Sequence, residues 1–188
     1  QVFRFAAPAL MAGNAGILKH ASNVPGCSRA IEDVFREAGA PEGIFQSLLI
    51  GARTASSMVA DDRIAAVTLT GSEAAGSAIG AAAGEAIKPS VLELGGSDPF
   101  IILADADVDA AVEAAVKARV INSGQSCIAA KRFIVEAPVY DRVVEGMRAA
   151  MEALNVGDPT QDETDIGPLA RRDLVDDLED QLSRSVQE

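Results

Sequence analysis

Short apolar runs alternate with amphipathic stretches along most of this sequence, and that alternation constrains the fold more than any other feature. Apolar residues recur at helical spacing from Val2 to Leu10, and a short apolar run follows at residues 16–19. Further predicted strands cover residues 45–50, 64–69 and 90–94, and further predicted helices cover residues 25–38, 54–60 and 72–86. Strands that are apolar throughout are buried on both faces, so the pattern predicts an α/β fold with a Rossmann-type parallel sheet between helices.

Gly95 and Gly96 interrupt this pattern, and a new apolar run begins at Pro99. The alternation then resumes with a helix at 108–121, a strand at 133–135 and a helix at 140–154. We therefore predict two domains, residues 1–95 and residues 96–188. Because the sequence starts and stops within helical patterns, we expect it to be a piece of a longer chain.

Charge and cysteine content exclude several classes of partner. Lys and Arg total 16 against 28 Asp and Glu, a net charge of −12. Such a balance repels phosphate backbones and anionic lipid surfaces, so we expect no nucleic acid and no membrane partner. Two cysteines are too few for a disulfide framework, and no apolar run approaches about 20 residues, which favours a reducing, cytoplasmic setting. The acidic residues at positions 158–180 are expected to form a solvated helix face.

A polar turn at residues 122–124 presents Cys127 between a helical pattern and an apolar run. Loops held by a rigid scaffold often carry reactive side chains, so Cys127 is a candidate nucleophile. A free cysteine can equally be an inert small hydrophobe. The second cysteine, Cys27, lies in the polar opening of a helix and is predicted to be a partly buried structural thiol.

Two stretches could bind an anion. The strand that ends at Thr70 passes through Gly71 and Ser72 into a helix, and such a turn aims backbone N–H groups at a phosphate. Many α/β proteins use glycine and serine there for geometry alone. Lys19 ends the first strand, where parallel sheets receive ligands, and Ser22 follows three residues later. The alternative for this pair is an exposed lysine and a plain loop serine.

Glu93 stands between two leucines at a strand end and is followed by Gly95 and Gly96. Burial there would make its carboxylate a stronger general base, and the glycines would let substrate or water approach the backbone. The alternative is a strand-end glutamate that faces water. His20 is the single histidine and has no second strong metal ligand near it, so we predict no metal site and no Cys–His hydrolase.

Together these features resemble the aldehyde dehydrogenase superfamily. Four motifs stand in family order: GILK ending at Lys19, TGS at 70–72 followed by Gly76, LELGG around Glu93, and GQSC ending at Cys127. The wording KHASNVP at 19–25 and GQSCIAAKRF at 124–133 most resembles the bacterial succinate-semialdehyde dehydrogenase group. The resemblance covers the whole sequence and implies that residues 1–95 are the later part of an NAD(P)-binding domain. Residues 96–188 would then be the first part of the catalytic domain.

The resemblance implies a mechanism. Cys127 attacks the aldehyde carbon, the Cys127 N–H and an Asn side chain stabilise the oxyanion, and hydride passes to the nicotinamide. Glu93 then activates the water that hydrolyses the thioester. Lys19 and Ser22 would meet the adenosine ribose, and the residues matched to the rest of the coenzyme are Gly71, Ser72 and Leu94.

Departures from the family pattern refine these expectations. NAD-preferring members often carry Glu at the position of Ser22, where it repels a 2′-phosphate, so we predict that NADP is preferred and that NAD remains usable. The family's oxyanion Asn would precede Gln1 and its second coenzyme-contacting Glu would follow Glu188. We therefore expect residues 1–188 alone to be inactive. The resemblance implies a homodimer or homotetramer for the whole protein.

The substrate and the role stay open at this point. Some succinate-semialdehyde dehydrogenases place an Arg six residues before the nucleophile, where this sequence has Ile121 and carries Arg119 two residues earlier. Either residues outside this piece hold a substrate carboxylate, or the aldehyde is less polar. The alternatives are a CoA-acylating dehydrogenase, which Glu93 disfavours, and a non-catalytic truncated or pseudoenzyme subunit.

Overall fold

A computed structural model describes residues 1–187 of the chain. Internal contacts divide the chain into two compact units, which meet in sequence between Gly95 and Gly96, and each unit is described by itself. Glu188, the last residue of the predicted second domain, lies outside the described residues.

The first unit contains two pairs of parallel strands. In chain order its elements are α1 (Val2–Met11), β1 (Gly16–Leu18), α2 (Pro25–Glu37), β2 (Phe45–Ser47), α3 (Ala52–Met58), β3 (Val67–Thr70), α4 (Glu73–Glu85) and β4 (Ser90–Glu93). Strand β1 pairs with β2, and β3 pairs with β4 so that Thr70 lies opposite Glu93. Both pairs are parallel and joined by a helix, which is the βαβ unit that the alternation predicts.

Two helices of this unit, α2 and α4, begin at a residue suited to that position. Pro25 occupies the first turn of α2, where its missing N–H costs nothing because that group has no intrahelical partner. Ser72 caps α4 through its hydroxyl oxygen, which accepts a hydrogen bond from the Ala75 N–H at 3.3 Å. The start of α4, and with it the geometry of the preceding turn, is therefore encoded locally.

The second unit packs two helices against one parallel strand pair. Its elements are β5 (Asp98–Ile102), α5 (Val108–Val120), β6 (Ala130–Val135), a short 3-10 helix (Ala137–Val139), α6 (Tyr140–Glu152) and α7 (Arg172–Gln187). Strand β5 pairs with β6 in parallel. One buried cluster at the centre of this unit contains Ile102, Val108, Val112 and Val143. This cluster fixes the position of α5, whose C-terminal end leads into the Cys127 loop.

The parallel strand pairs confirm the predicted α/β class, but some details of the prediction are wrong. Strand β3 begins at Val67 rather than residue 64, β2 stops at Ser47, and β6 already begins at Ala130. Burial on both faces fails for β4, all four of whose residues are exposed. Helix α4 covers only one side of β4, where Leu92 approaches Gly80, while Val91 keeps 59% of its surface accessible.

Helix α7 carries much of the acidic C-terminal segment, and none of its described residues is buried. The predicted solvated helix face is confirmed for the acidic residues at 173–180, whereas the acidic residues at 158–165 lie in turns and bends outside any helix. Among residues 1–187 there is no helix whose length and hydrophobicity would suffice to cross a membrane.

Candidate functional site

The Cys127 loop begins with a sharp turn at the end of α5. Asn122, Ser123 and Gly124 all adopt left-handed backbone conformations, with φ of 53°, 54° and 75°. Two consecutive non-glycine residues in that region are uncommon and persist only where the surrounding structure holds them. The turn leaves Cys127 partly exposed as a free thiol. A nucleophile needs that accessibility.

Two basic side chains fix the loop through its carbonyl groups. The Lys131 ammonium donates to the carbonyls of Ser126 at 3.2 Å, Cys127 at 2.9 Å and Ala129 at 3.1 Å. The Arg119 guanidinium donates to the carbonyls of Gly124 and Ala130, both at 2.7 Å. Arg119 thus binds the backbone of its own unit through both terminal nitrogens of its guanidinium.

The sequence interpretation missed Lys131 altogether. Periodicity does not reveal a side chain that folds back onto carbonyls two to five residues before it. The only signal is a lysine at the start of a strand that follows a candidate nucleophile. That lysine indicates a positive charge beside the loop, but not that its side chain points back at the loop carbonyls.

Gly96 lies directly against the Cys127 loop. A Cβ at Gly96 would lie 2.9 Å from the carbonyl oxygen of Cys127 and 3.3 Å from a carboxylate oxygen of Asp98. At Gly95 a Cβ would meet no atom within 4 Å. Of the two glycines in the LELGG motif, Gly96 is therefore the one that a close backbone approach requires.

Glu93 is the last residue of β4, and its side chain is exposed. The expectation that burial would strengthen Glu93 as a base is therefore wrong, because the residue is exposed. Its carbonyl accepts a hydrogen bond from the Gly71 N–H at 3.0 Å, which ties the Glu93 backbone to the turn before α4. Glu93 belongs to the first unit and Cys127 to the second.

The turn before α4 has a clear structural role. Ser72 caps the helix, and Leu94 packs so tightly on Gly76 that a Cβ there would lie 2.5 Å from a Leu94 methyl carbon. The packing of Leu94 on α4 thus accounts both for the glycine at position 76 and for the apolar side chain at position 94. Gly71 and Ser72 are exposed, and the N-terminal end of α4 remains open to an anion.

Lys19 and Ser22 lie at the carboxyl end of β1. Lys19 directly follows the strand and is partly buried, whereas Ser22 is exposed and lines a cleft of about 240 Å³. The other residues that line this cleft are His20, Ala21, Pro25, Ser28, Leu48, Leu49, Ile50 and Gly51. None of them is acidic, and the cleft occupies the strand-end position at which parallel sheets receive ligands.

Ser28, one of the residues that line this cleft, is held in place from behind by a hydrogen bond. The buried Ser28 hydroxyl is hydrogen-bonded to the Ser47 hydroxyl, and the Ser47 N–H donates to the Glu32 carboxylate at 3.2 Å. Since Ser28 faces inward from the first turn of α2, its neighbour Cys27 faces outward. Cys27 is exposed, so the prediction of a partly buried thiol is wrong.

Residues 1–187 contain no group of three or more His, Cys, Asp or Glu side chains placed to hold a metal ion.

Sequence comparison identifies a family that spans the chain. A model of the aldehyde dehydrogenase family matches residues 1–188. A probable succinate-semialdehyde dehydrogenase [NADP(+)] of Synechocystis sp. is 60% identical over 186 residues, which are 99% of this chain and 41% of that protein. The succinate-semialdehyde dehydrogenase [NADP(+)] of Mycobacterium leprae is 62% identical over 170 residues, 90% of this chain and 37% of that protein.

Solved structures share the fold. Succinic semialdehyde dehydrogenase from Streptococcus pyogenes in complex with NADP+ superposes with a TM-score of 0.93 at 40% identity, covering 97% of this chain and 40% of that one. Lactaldehyde dehydrogenase from Escherichia coli superposes with a TM-score of 0.95 at 35% identity, covering 99% and 39%. The chain therefore spans about two fifths of the length of these relatives.

Proposed function

The chain belongs to the aldehyde dehydrogenase family, and from that premise we propose that the whole protein oxidises an aldehyde to its carboxylic acid with NADP. The observation that carries this proposal is the free, partly exposed thiol of Cys127, held in a turn whose backbone is fixed by basic side chains. Residues 1–95 would form the later part of the coenzyme domain and residues 96–188 the first part of the catalytic domain.

Cys127 is proposed as the nucleophile. Its thiolate adds to the aldehyde carbon, and the Cys127 N–H donates to the oxyanion of the resulting thiohemiacetal. Bound NADP would supply the hydride acceptor for this carbon, so that a thioester on Cys127 remains. Glu93 takes a proton from water, and the resulting hydroxide attacks the thioester and releases the acid and the Cys127 thiolate.

The residues at the end of β1 fit a phosphorylated coenzyme. Lys19 supplies a positive charge and Ser22 a hydroxyl, and no acidic side chain lines the cleft to repel a 2′-phosphate. Gly71 and Ser72, at the open N-terminal end of α4, would hold the pyrophosphate, with Leu94 contributing through its backbone because its side chain packs on Gly76. On this proposal NADP is preferred and NAD remains usable.

Ser22→Glu tests the coenzyme proposal in the whole protein. A carboxylate at the cleft should raise the KM for NADP by at least about tenfold, since like charges brought together cost several kcal/mol. The KM for NAD should not rise. Ser57→Glu, which adds the same charge at an exposed position on α3, serves as the control. An unchanged NADP/NAD ratio in Ser22→Glu would remove Ser22 from the site.

Succinic semialdehyde is the proposed substrate, as the names of the relatives from Synechocystis and M. leprae indicate. Because Arg119 is bound to backbone carbonyls, the substrate carboxylate would be held by residues outside this chain. The values of kcat/KM for succinic semialdehyde, glutaric semialdehyde and simple aliphatic aldehydes test whether the substrate carries a carboxylate. A higher kcat/KM for the aliphatic aldehydes would point to a less polar substrate.

The whole protein is proposed to be a cytoplasmic homodimer or homotetramer. Light scattering of the purified protein gives the mass of the assembly, and a monomer at working concentration would contradict the proposal.

A further inference from the structure

Five backbone carbonyls of the Cys127 loop are directed at two cations. Lys131 binds three of them and Arg119 binds two, so every carbonyl involved lies between residues 124 and 130. Hydrogen bonds from charged donors are roughly twice as strong as those between neutral groups. A loop that only reverses the chain direction does not need five hydrogen bonds from charged donors, so these contacts point to a further role.

The planarity of the peptide bond links these carbonyls to the reacting atoms. In a trans peptide the carbonyl of one residue and the N–H of the next point in opposite directions. When Lys131 binds the Ser126 carbonyl, it therefore fixes the direction of the Cys127 N–H, which points away from the ammonium. Among residues 1–187 this N–H makes no hydrogen bond, so it is available to an incoming oxyanion.

Arg119 acts at the two ends of the same loop. Its guanidinium joins the Gly124 carbonyl, where the left-handed turn ends, to the Ala130 carbonyl, where β6 begins. A planar fork can bind two acceptors at once, which a lysine ammonium at that position would match less well. The span between the two anchors contains Cys127.

We propose that Lys131 and Arg119 are positioning residues for the nucleophile. Lys131 sets the direction of the Cys127 N–H through the Ser126 carbonyl, and Arg119 holds the loop closed from Gly124 to Ala130. This inference rests on the proposed function, because it assigns the N–H to the oxyanion of that reaction. Neither side chain touches substrate in this account.

The test compares Lys131→Met, Lys131→Arg, Arg119→Met and Arg119→Lys in the full-length protein. Lys117→Met is the matched control, since Lys117 is exposed on the same helix as Arg119. Active sites are counted from the first turnover of NADPH formation, so that kcat refers only to folded enzyme. Amide hydrogen exchange of residues 122–130 reports the order of the loop independently of activity.

Both methionine variants should lower kcat per site by on the order of a hundredfold, the loss expected when reacting groups are displaced by about 1 Å. The KM for NADP should stay unchanged, because neither Lys131 nor Arg119 is among the proposed coenzyme residues. Arg119→Lys and Lys131→Arg should recover part of the rate by keeping the charge. Exchange of the loop amides should quicken in Lys131→Met and stay as in the parent in Lys117→Met.

A purely structural role would lower the thermal midpoint while leaving kcat per site unchanged, and that result would overturn the proposal. Unaltered exchange of the loop amides in Lys131→Met would also overturn it. A parent protein that forms no NADPH from any aldehyde would refute the proposed function instead. The exchange data would then still show whether Lys131 orders the loop.

Discussion

Gly96→Ala is the substitution that most directly perturbs the geometry around Cys127. The added Cβ would lie 2.9 Å from the Cys127 carbonyl oxygen, against about 3.4 Å for an ordinary van der Waals contact, so one group must move by about 0.5 Å. That carbonyl is backbone and is also held by Lys131 at 2.9 Å. The Cys127 peptide therefore cannot move without weakening a charge-assisted hydrogen bond.

The size of the effect follows from these two contacts. Overpacking of this kind costs about 1–3 kcal/mol, and the hydrogen bond from a charged donor contributes about 1.5–3 kcal/mol. If the strain is relieved by displacing the Cys127 peptide, about 1–3 kcal/mol of transition-state stabilisation is lost. The rate of the first turnover should fall about 5- to 160-fold.

Gly95→Ala is the matched control, because a Cβ there would meet nothing within 4 Å. Stopped-flow measurement of NADPH formation in the first turnover gives the rate for each variant, and thermal unfolding gives its stability. We expect Gly95→Ala to stay within about 0.5 kcal/mol of the parent in both measurements. Equal rates for Gly96→Ala and the parent would refute the argument that this close approach positions the nucleophile.

Two further predictions concern stability. On α4, Gly84→Ala should stabilise the protein by about 0.5–1 kcal/mol, since its Cβ meets nothing within 4 Å and alanine favours a helix. Gly76→Ala should destabilise the protein by about 1–2 kcal/mol, because the added Cβ overlaps with Leu94 and this outweighs the helix preference of alanine. Urea unfolding of both variants shows whether their free energies of unfolding change in opposite directions. The second prediction concerns stability at low pH. Hydrogen bonds from the Arg63 side chain and backbone hold the pKa of Asp61 below its usual value of 3.8. A lowered pKa stabilises the fold above pH 3.8 and ceases to do so as the pH falls below that value. The thermal midpoint of Asp61→Asn should thus fall less than that of the parent between about pH 5 and pH 3, and equal falls would contradict the assignment.

The strand–helix order was predictable because it depends on local periodicity. Ser72 illustrates this, since a serine before an alanine-rich helix predicts the cap that the structure contains. Strand ends were less predictable, because the residues at 64–66 are apolar but have no partner strand to extend β3. Pairing, which is a tertiary property, decides where a strand stops.

The candidate residues were named from their motifs, but their environments were not predictable. Glu93 sits between leucines, yet it is exposed. Its exposure was not predictable, because a sequence pattern does not show which strand of a fold lacks a covering element. Arg119 and Lys131 bind carbonyls between two and eleven residues away, a relation that no periodicity encodes. Gly96 but not Gly95 is required to be a glycine, and this difference likewise depends on a contact with a loop about 30 residues later.

A thioester trapped on Cys127 would identify the nucleophile and the water-activating base in one experiment. In the full-length Glu93→Gln variant, water activation is lost while addition to Cys127 and hydride transfer remain, so the thioester should accumulate. Succinic semialdehyde and NADP are mixed with this variant, and peptide mass mapping follows one rapid turnover of NADPH formation. We expect one NADPH per site and a Cys127 peptide heavier by one succinyl group, both absent from Cys127→Ser. A succinyl group on another residue, or an equal burst in Cys127→Ser, would contradict it.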